Sequence, residues 1–211
     1  MTLKQLLSRV MRALPNESPD RWGTDDIIEM LNDAQNELAI ASQKFTVQEY
    51  ELDADYANVP FPDDVLMLMN VYWGQADSDT KAELYQDMDA LPTYDEDGAG
   101  DEEDEFSSGA GDPRKYYVKD GRLILRPIPD TDGIVTTVYI KRPTLMADMA
   151  DTPEFDDSEK YLVSHVLRRI HMESGSQMFQ LWNMEQERDK ANWLSGAGQN
   201  YQRPFRVKSV W

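Results

Sequence analysis

The apolar residues of this chain change their spacing twice, and that change constrains the fold more than any other feature. Up to about residue 43 they recur every three or four positions, as on one face of a helix. From Phe45 they alternate or run together, as in strands. From about residue 157 the helical spacing returns. A chain patterned in this way is α+β, with helical segments at 1–43 and 152–195 and a β-rich segment at 44–151 between them. A length of 211 residues suits one domain with an elaborated insertion and buries a core without covalent staples.

Leu3, Leu6, Leu7, Val10, Met11 and Leu14 form one apolar face of a first helix, with Thr2 as its N-cap. Pro15, Asn16, Pro19 and Gly23 then break the chain. Thr24 reads as a second N-cap, with Asp25 and Asp26 in the first turn, where the helix dipole favours acids. Ile27, Ile28, Leu31, Ala34, Leu38 and Ala41 carry that helix to about Ser42. Residues 157–194 give a longer helical pattern through Tyr161, Leu162, Val166, Leu167 and Ile170, with a break expected at Gly175.

In the middle segment, Phe45 to Leu52 alternates as a strand near an edge, and Pro60 and Pro62 stop it. Val65 to Trp73 is a nearly continuous apolar run. It suits a helical turn leading into a buried strand, which periodicity alone does not settle. Asp79 to Leu91 reads as a short helix. Asp120-Gly121 between Tyr116–Lys119 and Arg122–Arg126 is a tight-hairpin signature, because both turn positions want positive φ. Ile134 to Lys141 follows as a third strand of an antiparallel meander.

Two segments stand apart. Residues 95–111 hold Asp95, Glu96, Asp97, Asp101, Glu102, Glu103, Asp104 and Glu105, with four glycines. They bury too little apolar surface to offset ordering, so a solvated mobile loop is expected. From Lys190 to Trp211 there is no acid. Residues 196–211 read as an extended arm in which Tyr201, Arg203, Phe205, Arg206, Lys208 and Trp211 form a docking element, since arginine and large aromatics are the usual interface anchors. Trp193, at the end of the helical region, belongs with those aromatics on the same reasoning.

A formal charge of −19, from 40 acids against 21 bases, opposes sequence-reading of nucleic acid, which needs a basic footprint, and opposes adhesion to anionic membranes. It leaves nearness to DNA open, because an acidic surface lets DNA pass without sticking, and it equally suits plain solubility through self-repulsion. The sequence has no secretory signal pattern and no apolar run long enough to span a bilayer, so a soluble protein made in the cytoplasm is expected. With no cysteine there is neither a disulfide framework nor a thiolate nucleophile.

Catalytic motifs are missing as well. No phosphate-binding glycine loop or nucleophile elbow occurs. His165 and His171 lie about 240° apart around a helix, on different faces, and read as ordinary core or surface histidines rather than a metal pair. Calcium-loop registers at Gly98 and Gly133 put Thr93 and Ile128 at the first ligand position, where an acid is wanted. The expectation is a non-enzymatic protein with no cofactor and no metal site.

Four stretches, in order, carry a resemblance to a known family. They are Thr24-Asp25-Asp26-Ile27-Ile28 leading to Leu38; Val59-Pro60-Phe61-Pro62-Asp63-Asp64-Val65-Leu66; Gly111-Asp112-Pro113-Arg114-Lys115-Tyr116-Tyr117 leading to Pro127; and Tyr139-Ile140-Lys141-Arg142-Pro143 followed by Asp156-Asp157. Together they resemble the head-to-tail adaptors of tailed bacteriophages, of the head completion and tubular tail protein A type. The resemblance implies a bundle of about four helices with a β-rich insertion and an extended C-terminal arm. It also implies a dodecameric ring of identical copies that lines the DNA exit channel. Its partners would be the portal protein on one side and a tail nozzle or the next tail ring on the other, with genomic DNA passing unread. The location implied is the head–tail junction of the virion. Three other readings compete: a neck or tail-terminator ring, an acidic nucleic-acid mimic that inhibits a DNA-binding enzyme, and a metal-dependent hydrolase built on scattered carboxylates.

Overall fold

The computed structural model describes residues 1–14, 22–76, 80–87 and 110–196. The described residues divide into two compact units, one made of residues from 1–44 and 140–196, the other of residues from 45–139.

The first unit is helical. Helix α1 (Leu3–Ala13) buries Leu3, Leu6, Leu7 and Val10 of the expected face, while Met11, expected on the same face, is exposed. The chain after the β-rich segment satisfies its first-turn donors: Leu3 N–H donates to the Asp151 carbonyl at 2.7 Å and Lys4 N–H to that of Met149 at 3.1 Å. Helix α2 (Thr24–Ser42) starts one residue earlier than expected. Gly23, not Thr24, is the N-cap, and Asp26 reaches back to accept its N–H at 2.9 Å, half of a capping box. Asn32 makes a two-way clasp with Met146, Nδ2 to the carbonyl at 3.0 Å and Oδ1 from the N–H at 2.9 Å. Gln35 Oε1 accepts the Glu154 N–H at 2.9 Å.

Helices α3 (Glu159–Glu173) and α4 (Phe179–Ser195) fill the expected helical segment, and its break falls at Gly175. Gly175 has φ +65, the Ser176 N–H donates to the His171 carbonyl and the Gly175 N–H to that of Met172. That hydrogen-bond pair is the Schellman stop, which needs a left-handed residue and favours glycine there.

The second unit is a seven-stranded sheet in the order β1-β7-β3-β4-β5-β6-β2, formed by β1 (Phe45–Leu52), β2 (Asn58–Pro60), β3 (Val65–Gln75), β4 (Ala82–Gln86), β5 (Lys115–Lys119), β6 (Arg122–Arg126) and β7 (Gly133–Lys141). One apolar core takes residues from every strand: Leu52, Val59, Val71 and Trp73, Leu84, Tyr116, Leu123 and Leu125, and Val135. End strands sharing a core with central ones make the sheet barrel-like. The fold class α+β therefore holds, although this sheet is more than a meander inserted into a bundle.

The β5–β6 hairpin forms as the sequence predicts, with Lys119 opposite Arg122 and Asp120 and Gly121 at φ 51 and 69. The expected third meander strand does not follow it. β7 lies between β1 and β3, and all of its residues from Val135 to Ile140 are buried. β6 pairs instead with the short β2, whose Pro60 is tolerated at an end of the sheet. The helix expected at Asp79–Leu91 is also corrected. Ala82–Gln86 is β4, antiparallel to β3 and parallel to β5, and only Leu84 faces the core. Pairing with a long neighbour overrides weak local propensity here. β3 is strand throughout, and β1 sits at an end of the sheet as its alternation suggests.

Trp73 packs closely against Gly133. A Cβ at that position would collide with the indole ring and lie 2.7 Å from the Gly74 carbonyl oxygen. Gly133→Ala is expected to cost roughly 1–3 kcal/mol through overpacking, read as a fall of several degrees in the thermal midpoint. Gly111→Ala, with nothing nearer than 3.8 Å, should leave the midpoint unchanged.

Candidate assembly surface

Neither the expected docking residues of the arm nor the acids of the expected solvated loop lie within the described residues. The arm positions Tyr201, Arg203, Phe205, Arg206, Lys208 and Trp211, and the acidic positions Asp95, Glu96, Asp97, Asp101, Glu102, Glu103, Asp104 and Glu105, all fall outside them. The described chain does show α4, the helix that leads into the arm, and how it is seated.

Helix α4 buries only Gln186 and Trp193 among its 17 residues. Trp193 is thus not a free aromatic of the tail. It packs edge-on against Phe155, ring centroids 5.5 Å apart, and its Nε1–H donates to the Asp156 carbonyl at 2.9 Å. The residue lies near the end of the chain but anchors α4 to the turn before α3. The opposite side of α4 leaves Leu181 and Met184 exposed, with Met178 at the N-cap and Met172 at the end of α3.

Between the two ends of α4, a polar cluster holds it to α2 and α3. Tyr161 Oη donates to Glu37 Oε2 at 2.5 Å. Gln186 Nε2 donates to Tyr161 Oη at 3.3 Å and lies 3.1 Å from His165 Nδ1, which in turn is 3.5 Å from Glu37 Oε2. The imidazole nitrogen has two roles open to it. Unprotonated, it accepts the Gln186 N–H; protonated, it turns that hydrogen toward Glu37. The His165 contact is the largest influence holding the Glu37 carboxyl down at about 2. Burial opposes it, and the Tyr161 hydroxyl and the charge of Lys190 add to it. Burial and the Glu37 hydrogen bond push the Tyr161 phenol up. Arg169 adds a surface tie from α3, with Nη1 at 2.6 Å from Asp33 and Nε at 3.2 Å from Glu173.

His171 is the other histidine, buried with its ring plane within 4° of Trp182 and centroids 6.3 Å apart. Burial pushes its pKa down. The two imidazoles therefore pack in separate environments, one against Gln186 and one against an indole. Among the described residues, no group of three histidines or carboxylates is placed to hold a metal ion.

In the β-rich unit, two of the stretches quoted for the family resemblance meet. Tyr139 Oη donates to Asp64 Oδ1 at 3.0 Å, with Gln48 Oε1 at 3.4 Å. Burial first, then the Asp64 contact, pushes the phenol up to about 12. The hydrogen bond ties the proline corner that precedes β3 to the buried end of β7.

A family model for the SU10 adaptor protein matches residues 1–208. No curated protein sequence matches the chain.

The polar cluster predicts an acid limb in stability. Glu37 is depressed in the folded chain from 4.5 to about 2, so its contribution is complete above the unfolded value and is lost as pH falls through that interval. Glu37→Gln should lower the thermal midpoint at pH 6, and the gap from the parent should close as pH approaches 2. Equal gaps across the range, followed by circular dichroism, would show the carboxylate to be idle.

Proposed function

The chain belongs to the SU10 adaptor protein family, and we propose that it works as a phage head–tail adaptor, a structural virion protein at the junction between head and tail. The observation that carries this reading is a family match over residues 1–208, nearly the whole chain. The ordered stretches at 24–38, 59–66, 111–127 and 139–157 support it independently.

In this reading the entire chain acts as one adaptor module. Copies assemble as a twelvefold ring, one rim meeting the portal protein and the other a tail nozzle or the next tail ring. At a formal −19 per copy the ring would carry charge on the order of −200, and an acidic wall repels the DNA backbone and lets a genome slide. Residues 196–211 supply the docking arm through Tyr201, Arg203, Phe205, Arg206, Lys208 and Trp211. Three aromatics, two arginines and a lysine, with no acid among them, suit an acidic neighbour.

Co-sedimentation with the portal ring of the same phage tests the arm. The full chain should pellet with the portal, and a chain lacking residues 199–211 should lose most of that binding while keeping its circular dichroism spectrum. Undiminished binding of the truncated chain would remove the arm from the interface.

A further inference from the structure

Charge is divided unevenly along this chain. Residues 45–139 hold 23 acids against six bases, a net of −17, while the other 116 residues hold 17 acids against 15 bases, a net of −2. The near-neutral portion also gathers its bases. Helix α1 carries Lys4, Arg9 and Arg12 with no acid, and its exposed side opens into a shallow groove. Arg9 belongs as well to an adjoining groove between α1, α3 and α4, where Lys160 and Arg188 stand around Trp182. Arg188 is engaged with Glu185 and lies 3.7 Å from Asp189. Lys4, Arg9, Arg12 and Lys160 make no ion pair within 4 Å among the described residues. Four bases with no such partner along one continuous surface are out of proportion in a chain this acidic.

The β-rich unit offers the complementary face. Ala54 N–H donates to Asp132 Oδ1 at 2.8 Å and Asp55 N–H to the Pro129 carbonyl at 2.9 Å. These bonds bring the β1–β2 turn beside the β6–β7 connection, so Asp53, Asp55, Asp130 and Asp132, all exposed, share one end of the unit.

We infer that the two grooves that share Arg9, one lined also by Lys4 and Arg12 and the other by Lys160, receive the acidic β-rich unit of a second copy of this chain. The contact is heterologous, one patch on one copy meeting a different patch on the next, which is the kind of contact that closes rings. Charge complementarity of this sort sets orientation and encounter rate, and it offsets the repulsion between copies. The inference rests on the adaptor reading and specifies which surfaces of neighbouring copies meet.

The test mixes equal amounts of isotopically heavy and light full-length chain, alone and bound to the portal ring, and joins amines to carboxylates with a zero-length carbodiimide. Mass spectrometry should find mixed-isotope peptides linking Lys4 or Lys160 to acids within 45–139. Their yield should fall about fivefold or more in about 0.5 M salt. Arg9→Glu with Arg12→Glu, which keeps both reactive lysines and alters only exposed positions, should reduce them similarly. Asp53→Lys with Asp55→Lys in the mixing partner should restore them. Same-isotope links alone, no links in either setting, or links indifferent to the reversal would overturn the inference. Loss of duplex DNA retention on reversal, with the links unchanged, would overturn it in favour of a nucleic-acid surface. Portal co-sedimentation of the parent chain is scored in parallel. Its failure counts against the adaptor reading, whereas its success without inter-copy links counts against this surface alone.

Discussion

The helical unit has to close across its own chain. α1 and α2 must meet α3 and α4 with residues 45–139 intervening. Were that intervening segment a flexible loop, bringing its ends together would cost about 4 kcal/mol beyond the constant for closure. Folding the segment around its own core removes most of that cost, since its ends are then held by a fixed sheet. What secures the closure locally is a set of backbone-directed bonds from the returning chain. Asn32 clasps Met146, Gln35 accepts from Glu154, and the carbonyls of Met149 and Asp151 take the first-turn donors of α1. Each satisfies a polar group that would otherwise be unpaired at the edge of an apolar core.

Where sequence alone was informative, the reason was local. The Asp120-Gly121 turn was legible because positive φ at two consecutive positions admits few residues, and the stop at Gly175 because a left-handed helix end favours glycine. The helical faces of α1 and α2 were legible because their burial follows the 3.6-residue period. The place of β7 and the nature of β4 were not, since each depends on neighbours far away in the chain, and Ala82–Gln86 carries too short a pattern to declare its period.

The seating of α4 was hidden for a different reason. Gln186 lies in a run of polar residues that looks solvent-facing, and only the three-way meeting with Tyr161 and His165 shows it to be buried. Trp193 misled because nearness to the chain end suggested a free anchor, while Phe155 and the Asp156 carbonyl hold it in place. The proline corner at 59–66 is tied to distant β7 by the Asp64–Tyr139 hydrogen bond, a contact that its local sequence does not display. A firmly seated α4 matters to an adaptor because the proposed docking arm begins where that helix ends.

Imaging the purified chain mixed with the portal ring of its own phage, by electron microscopy, tests the adaptor account most directly. The account predicts portal rings capped on one face by added density with twelvefold symmetry, into which both the helical and the β-rich unit fit. Bare portals across a range of salt concentrations, with the chain folded and in excess, would contradict it.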